Sequence, residues 1–125
     1  MAPKPTLLLA DDDPRNIFAL KAVLQLKGYT ILTAQNGQEC LDVLAKQPGV
    51  DVVLMDMMMP VMDGYEATQA LRQQPQFRDL PIIAVTAQAM PGDKERCLAA
   101  GATEYIAKPI DTDQLEALIH QHLTK

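Results

Sequence analysis

The chain has 125 residues, 48% of them hydrophobic and 22% charged, a size and balance typical of one globular domain with its own core. We therefore expect residues 1–125 to form a single domain. A formal net charge of −5, the lack of a basic run and an aromatic content of 4% disfavour direct binding to nucleic acid or to an anionic membrane.

The first part of the chain alternates apolar runs with helical patterns. Thr6–Ala10 is a largely apolar run that predicts a buried strand, and Pro14–Leu26 then carries apolar residues at helical spacing. Tyr29–Ala34 is rich in β-branched residues with polar alternation, which predicts an edge strand. The residues between Asn36-Gly37 and Pro48-Gly49 keep a helical period, so we predict a second helix there rather than a hairpin.

A third strand is predicted over Val52–Met55, a continuous apolar run that is closed by Asp56. Such a run is typical of a strand buried on both faces of a sheet. A carboxylate at the C-terminal end of that strand can reach solvent, a metal or a reagent without the cost of a fully buried ion. Taken alone, Asp56 would be only a turn residue.

The second half continues the same alternation. Tyr65–Arg72 predicts a third helix, and Leu80–Val85 predicts a fourth strand that delivers Thr86 to its end. After a loop over Ala87–Met90, a fourth helix is expected over about Pro91–Ala100, because proline suits the first position of a helix.

The last strand and the last helix complete the pattern. Thr103–Ala107 predicts a short fifth strand that ends at Lys108-Pro109, and either Asp111 or Thr112 caps the final helix. The apolar stripe expected to face the sheet on that helix consists of Leu115, Leu118, Ile119 and His122.

Five strands that alternate with five helices predict a single α/β domain of three layers. Strict alternation implies a parallel sheet with right-handed crossovers and helices on both faces. Because the polar-alternating strand is second in the chain and the continuous apolar runs are first and third, the flavodoxin-like strand order 2-1-3-4-5 fits best.

This strand order brings Asp11 and Asp12 beside Asp56, because the carboxyl ends of parallel strands share one edge of the sheet. Neighbouring strands lie about 4.8 Å apart, so the three carboxylates are within reach of one shared ion. An all-oxygen cluster favours a hard cation, and few side-chain ligands favour Mg²⁺ over Ca²⁺. The alternative is a solvated acidic cap on the first helix, which Asp13 alone could supply.

Thr86 and Lys108 reach the same edge from the fourth and fifth strands. Separately, they would be a strand-end cap and a surface charge. Beside a metal-bound carboxylate, a hydroxyl and an ammonium suit a phosphoryl group whose oxygens they can contact. Asp56 would then be the nucleophile that forms an acyl phosphate.

These motifs together resemble the receiver domain of two-component response regulators. The resemblance spans nearly the whole chain and is carried by Asp11-Asp12, Met55–Pro60, Asp63-Gly64, Thr86-Ala87 and Lys108-Pro109. Residues 87–93 and 100–102 are similar to receivers of hybrid histidine kinases and stand-alone phosphorelay proteins. The chain is therefore expected to be either a free-standing regulator or a fragment of a hybrid kinase.

The resemblance implies a role for each site residue. Asp56 is the expected phospho-acceptor, and the phosphoryl group comes from a histidine kinase or a histidine phosphotransfer protein. Lys108 contacts that phosphoryl group. Thr86 and Tyr105 form the expected switch pair, which changes the surface of helix four, strand five and helix five. The expected metal is Mg²⁺, with Mn²⁺ as a substitute, and its ligands are Asp11, Asp12, Asp56 and the backbone carbonyl of Met58.

Further expectations concern the kind of protein this is. The resemblance implies a regulatory domain that catalyses its own phosphorylation, as a monomer or weak dimer, and a cis Lys108-Pro109 peptide bond. Met58, two residues after Asp56, is apolar and cannot orient an attacking water, which predicts slow self-dephosphorylation.

Three rival functions remain open. A phosphatase of the haloacid dehalogenase type needs a second acid two residues after its nucleophile, where this chain has Met58. A flavin or nucleotide binder needs a phosphate-cradling turn after the first strand, where residues 11–13 are acidic. The third rival is a domain of this fold that acts only as an interaction module.

The cysteines and histidines carry no recognisable site. Cys40 and Cys97 belong to no CxxC or Cys/His cluster and are expected to be reduced packing residues. His122 is expected to face the sheet and His120 the solvent, with no carboxylate partner evident for either and no phosphodonor role. Because no apolar run approaches the roughly 20 residues of a membrane span, we expect the protein to be cytoplasmic.

Overall fold

The computed structural model describes residues 5–47, 49–87 and 91–123, and in them it confirms the predicted alternation. The strands are β1 (Thr6–Ala10), β2 (Thr30–Ala34), β3 (Val52–Asp56), β4 (Ile82–Thr86) and β5 (Glu104–Ala107). The helices are α1 (Pro14–Leu26), α2 (Gly37–Lys46), α3 (Gly64–Arg72), α4 (Asp93–Ala100) and α5 (Thr112–Leu123). A short 3₁₀ turn that the sequence did not predict, Pro75–Phe77, lies between α3 and β4.

The sheet is parallel throughout and has the predicted order β2-β1-β3-β4-β5. All five residues of β3 and all five of β4 are buried, whereas the edge strand β2 exposes Thr30. This difference follows the sequence pattern, because central strands of a parallel sheet are covered on both faces.

Two apolar layers cover the sheet. On one face, β-strand side chains pack with Leu24 of α1 and with Leu115 and Ile119 of α5. On the other face they pack with residues of α2, α3 and α4, among them Leu44, Leu71 and Cys97. The carboxyl edge of the sheet is therefore framed by α1 on one side and by the β3–α3 connection on the other.

Side-chain caps mark where α1, α2 and α5 begin, as a capping box does for α3. The Asp13 carboxylate accepts a hydrogen bond from Arg15 N at 2.9 Å, and the Asn36 amide oxygen accepts one from Glu39 N at 2.8 Å. Asp111 caps α5, since its Oδ1 accepts hydrogen bonds from the backbone N–H groups of residues 113 and 114. These caps satisfy backbone donors that have no partner within the helix.

The start of α4 differs from the prediction. The helix begins at Asp93 rather than at Pro91, because Gly92 has φ 91° and a left-handed residue cannot belong to a right-handed helix. The helix ends at Ala100 and is closed, as predicted, by Gly101, which also has a positive φ, of 115°. Of the predicted loop and helix boundaries, Pro48 and residues 88–90 lie outside the described part of the chain.

Both cysteines are buried and unpaired, as expected. Burial raises the pKa of the Cys40 thiol to about 12, so this thiol stays protonated at neutral pH. Among the helices of the described residues, none is long and apolar enough to span a bilayer.

Candidate functional site

Asp56 is the last residue of β3 and forms the floor of a cleft at the carboxyl edge of the sheet. Only 5% of Asp56 is exposed, and its Oδ1 accepts a hydrogen bond from Met58 N at 3.0 Å. Burial raises the pKa of the Asp56 carboxyl, although the Met58 N–H and the ammonium of Lys108 oppose that effect.

Asp11 and Asp12 enter the same cleft from the end of β1. Asp11 is buried, and its Oδ1 accepts a hydrogen bond from Asp13 N at 2.8 Å, while Asp12 is exposed. Carboxylate oxygens of Asp11, Asp12 and Asp56 all lie within 4.8 Å of one another. Three oxygen donors at this separation can hold one hard divalent cation.

Lys108 closes the cleft from the end of β5. Its Nζ lies 3.1 Å from Asp56 Oδ2 and 3.3 Å from Asp11 Oδ2. Burial by itself would lower the pKa of Lys108, but the hydrogen bonds to Asp56 and Asp11 and their charges outweigh it and raise the pKa. The Lys108-Pro109 peptide bond is cis, as predicted.

Thr86 and Tyr105 lie on the same face of the sheet. Thr86 ends β4, is 3% exposed, and its carbonyl accepts a hydrogen bond from Lys108 N at 2.7 Å. Tyr105 is paired in register with Ala84, two residues before Thr86, and packs at the edge of the core on the α2, α3 and α4 side. Because strand side chains alternate between faces, both predicted switch residues point to the side of the sheet that α4 covers.

Met58 stands at the rim of the cleft. Met57 and Met59 are buried in the core, whereas 65% of Met58 is exposed. The backbone of Met58 donates to Asp56, and its side chain lines the cleft beside the acidic residues. An apolar thioether therefore occupies the position where a second catalytic acid would have to stand.

The connection from β3 to α3 is held by tight backbone contacts. Gly64 N donates to Met57 O at 3.1 Å, and a Cβ on Gly64 would lie 2.5 Å from Asp56 O. Gly37 N donates to Met62 O at 2.8 Å, which ties this connection to the start of α2. Only glycine at position 64 lets α3 begin so close to the backbone of the acceptor strand.

The cleft measures about 460 Å³ and includes one residue that the sequence did not single out. Asn16, on the first turn of α1, lines the cleft together with the acids. A signal was available, because Asn16 follows the acidic run closely and a helix begins there. From the sequence alone, however, Asn16 cannot be distinguished from an ordinary polar residue on a solvated helix face.

The histidines of α5 have carboxylate neighbours that the sequence did not reveal. His122 is partly buried, and its Nε2 lies 2.9 Å from Glu104 Oε2 of β5. His120 Nε2 lies 3.8 Å from Glu116 Oε2 on the exposed side of the helix. Neither histidine lines the acidic cleft.

Comparison with known proteins agrees with this geometry. A family model for the response regulator receiver domain matches residues 7–120. The signal transduction histidine-protein kinase BarA of Shigella flexneri is 40% identical over 91% of this chain, which spans only 12% of that kinase. The polar-differentiation response regulator DivK of Brucella anthropi is 35% identical over 94% of this chain and 95% of its own length.

Two solved structures share the fold. The receiver domain of sensor histidine kinase PA1611 from Pseudomonas aeruginosa has a TM-score of 0.89 and 36% identity, covers 98% of this chain and 99% of its own, and has a magnesium ion coordinated in the active site cleft. A chain from the Saccharomyces cerevisiae complex of the histidine phosphotransfer protein Ypd1 with the receiver domain of Ssk1 has a TM-score of 0.87 and 26% identity, with 97% of this chain and 90% of its own covered. Every residue of the cleft lies inside the region matched by the family model.

Proposed function

This chain belongs to the response regulator receiver domain family and acts in two-component phosphorelay signalling, and from that premise we propose that Asp56 is its phospho-acceptor. The observation that carries the proposal is the position of Lys108 Nζ, 3.1 Å from Asp56 Oδ2, beside a cluster of three carboxylates. An ammonium in that position can neutralise the oxygens of a phosphoryl group on Asp56.

The reaction starts from the ionised carboxylate. An Asp56 oxygen attacks phosphorus, the bond from phosphorus to the donor breaks, and its electron pair leaves with the donor. Asp11, Asp12, Asp56 and the backbone carbonyl of Met58 would hold Mg²⁺, and the same oxygen donors would accept Mn²⁺. When bound, the cation supplies positive charge that favours ionised Asp56 and offsets the phosphoryl oxygens.

Lys108 and Thr86 serve the phosphorylated state. Lys108 contacts a phosphoryl oxygen, and the hydroxyl of Thr86 donates a hydrogen bond to another. Thr86 moves towards the new charge, and Tyr105 enters the space that it leaves. Since both residues point to the side of the sheet that α4 covers and Tyr105 belongs to β5, phosphorylation changes the surface of α4 and β5, and with it that of α5, which follows β5 in the chain.

The partners follow from the same chemistry. The phosphoryl donor is a histidine kinase or a histidine phosphotransfer protein, in line with the Ypd1 complex of a similar chain and the kinase context of BarA. The domain is regulatory, catalyses its own phosphorylation and works in the cytoplasm as a monomer or weak dimer. It serves either as a free-standing regulator, as DivK does, or within a hybrid kinase.

The acceptor is tested by incubation with acetyl phosphate and Mg²⁺, followed by intact mass spectrometry. The protein should gain one phosphoryl group, and Asp56→Asn should abolish the gain without loss of the fold. Asp51→Asn is the matched control, because Asp51 is an exposed carboxylate just before the first residue of the same strand. Continued labelling of the Asp56 variant would contradict the assignment.

The metal site is tested by thermal unfolding with and without Mg²⁺. A ligand that binds only the native state raises the melting temperature, and the stabilisation grows with the logarithm of one plus the ratio of its free concentration to its Kd. Asp12→Asn should remove the Mg²⁺-dependent increase and leave the metal-free melting temperature nearly unchanged, because Asp12 is exposed. Asp79→Asn, an exposed acid outside the cleft, should respond to Mg²⁺ as the wild type does.

The acyl phosphate should be long-lived, because the exposed thioether of Met58 cannot orient a water. Met58→Asn should speed loss of the phosphoryl group about tenfold, which corresponds to about 1.4 kcal/mol of transition-state stabilisation. Radiolabel decay measures the rate, with Val61→Asn as a control in the same connection but outside the cleft lining. A wild-type lifetime of seconds would argue against this reading of Met58.

A further inference from the structure

A groove of about 510 Å³ adjoins the acidic cleft between α1 and the residues that follow β5. Its outer walls are mostly apolar and are formed by Ala19, Leu20, Val23, Pro109, Ile110 and Thr112. Four residues line both the groove and the cleft: Asp11, Asn16, Ala87 and Lys108. The two spaces are therefore continuous, and a group bound in the groove would lie next to a phosphoryl group in the cleft.

Asn16 is the available polar group at this junction. Lys108 is paired with both Asp11 and Asp56, and Ala87 has no polar side chain. The side-chain amide of Asn16 has no hydrogen-bond partner within residues 5–47, 49–87 and 91–123, although the residue is partly buried. A partly buried amide that is free on the wall of a reaction cleft is suited to contact a bound reactant.

The position of Asp56 limits where a leaving group can lie. Because Asp56 is on the floor of the cleft, the leaving group of the phosphoryl donor must face the open side, in line with the attacking oxygen. That side is bounded by Asn16 and by the apolar start of the groove. A flat ring with apolar edges and one polar N–H matches such a wall better than a small charged carboxylate does.

We propose that Asn16 selects phosphodonors with an imidazole leaving group, by accepting a hydrogen bond on Oδ1 from the ring N–H that is not bonded to phosphorus. This inference rests on the proposed phospho-acceptor role of Asp56. In the step, an Asp56 oxygen forms a bond to phosphorus and the P–N bond breaks. The electron pair of that bond stays on the ring nitrogen, and the proton on the other nitrogen stays in place, so neutral imidazole leaves.

Two small phosphodonors separate this role from general effects on the site. Phosphoimidazole carries the ring, whereas acetyl phosphate carries a carboxylate leaving group. The rate constant of Asp56 phosphorylation is measured with each donor in the presence of Mg²⁺, by intact mass spectrometry. Asn16→Ala should lower the rate with phosphoimidazole about tenfold, the typical effect of one lost hydrogen bond to a charged group, and leave the acetyl phosphate rate within about twofold.

Three further variants complete the test. Gln25→Ala, an exposed amide on α1 about 13 Å further along the helix, should change neither rate. Asn16→Ser keeps an acceptor oxygen and should recover part of the phosphoimidazole rate, whereas Asn16→Leu should not. Circular dichroism and the melting temperature check that each variant is folded.

The outcomes distinguish this inference from the function on which it rests. Equal losses of rate with both donors, or no loss with phosphoimidazole, would overturn the role of Asn16 while Asp56 remained the acceptor. If neither donor labels the wild-type protein, the acceptor assignment itself fails.

Discussion

Asp56 is the residue at which function and stability oppose each other. Its carboxylate must be ionised to attack phosphorus, yet it is nearly inaccessible to water and two other carboxylates lie within 4.8 Å. Burial is the main cause of its raised pKa, so the ionised form is less stable in the folded chain than in the unfolded chain. Lys108 offsets part of that cost, and a bound divalent cation would offset more.

Asp56→Asn should therefore stabilise the metal-free protein at neutral pH. A carboxyl whose pKa is raised by folding contributes stability that is complete below the unfolded value, 3.8, and is lost as the pH rises through the folded pKa. Thermal unfolding in EDTA should show a higher melting temperature for Asp56→Asn at pH 7, with a smaller difference as the pH falls. A lower melting temperature for the variant at pH 7 would mean that the Lys108 ion pair outweighs burial.

Thr68 offers a second test at the scale of one residue. Among the described residues, its fully buried Oγ1 has no hydrogen-bond partner. Thr68→Val has nearly the same shape and removes the unsatisfied hydroxyl, so the free energy of unfolding should rise by about 1 kcal/mol. Urea unfolding measures the change. Thr68→Ser keeps the hydroxyl and loses a buried methyl group, so it should be less stable than the wild type.

At the scale of an element, the connection from β3 to α3 combines strain with tight anchoring. Val61 has φ 69°, an unfavourable backbone conformation for a β-branched residue, in a three-residue turn closed by Met62 N and Pro60 O at 2.7 Å. The turn persists because Met62 O accepts the Gly37 N–H and Gly64 N donates to Met57 O. Anchors on both sides therefore force the conformation of Val61, whose side chain is exposed.

Val61→Gly should relieve this strain. Glycine adopts a positive φ without penalty. The strain energy that is relieved in the folded state exceeds the entropic cost of the more flexible unfolded chain, so the unfolding free energy should rise by about 0.5 to 1 kcal/mol. Urea unfolding measures the gain. Val61→Ala is the control, because alanine keeps a Cβ at the same φ. This variant should gain much less unfolding free energy.

At the scale of the whole molecule, Arg72 joins elements that are distant in the chain. Its guanidinium donates to Phe77 O at 2.7 Å, to Gly101 O at 2.8 Å and to Thr103 Oγ1 at 3.2 Å. These bonds connect the end of α3 with the 3₁₀ turn and with the junction of α4 and β5. Burial lowers the pKa of Arg72, but a guanidinium stays charged at any physiological pH.

Arg72→Lys should destabilise the fold by about 2 kcal/mol, since an ammonium cannot reach acceptors in three directions and would leave partly buried carbonyls unpaired. Arg78→Lys is the matched control, because the Arg78 side chain is exposed and should change stability by less than about 0.5 kcal/mol. Urea unfolding measures the stability of both variants. Equal stabilities of Arg72→Lys and Arg78→Lys would show that Arg72 acts only as a surface charge.

The pattern of the sequence alone was sufficient to predict the class of fold, the strand order and the edge of the sheet at which the acidic residues meet. Runs such as Val52–Met55 and the helical spacing of Pro14–Leu26 are local signals, because burial repeats with the period of each element. Alternation then leaves few topologies, and a parallel sheet brings the ends of β1 and β3 together. The late start of α4 was missed because Gly92 acts through a backbone angle that composition does not show.

Which side chains touch one another depends on how the whole chain packs. The 3.1 Å contact of Lys108 with Asp56, the pairing of His122 with Glu104 and the position of Asn16 on the wall of the cleft each depend on how helices pack on the sheet. Partners that are far apart in the chain are brought within hydrogen-bond distance by packing of the whole core, and no local pattern encodes a distance of that kind.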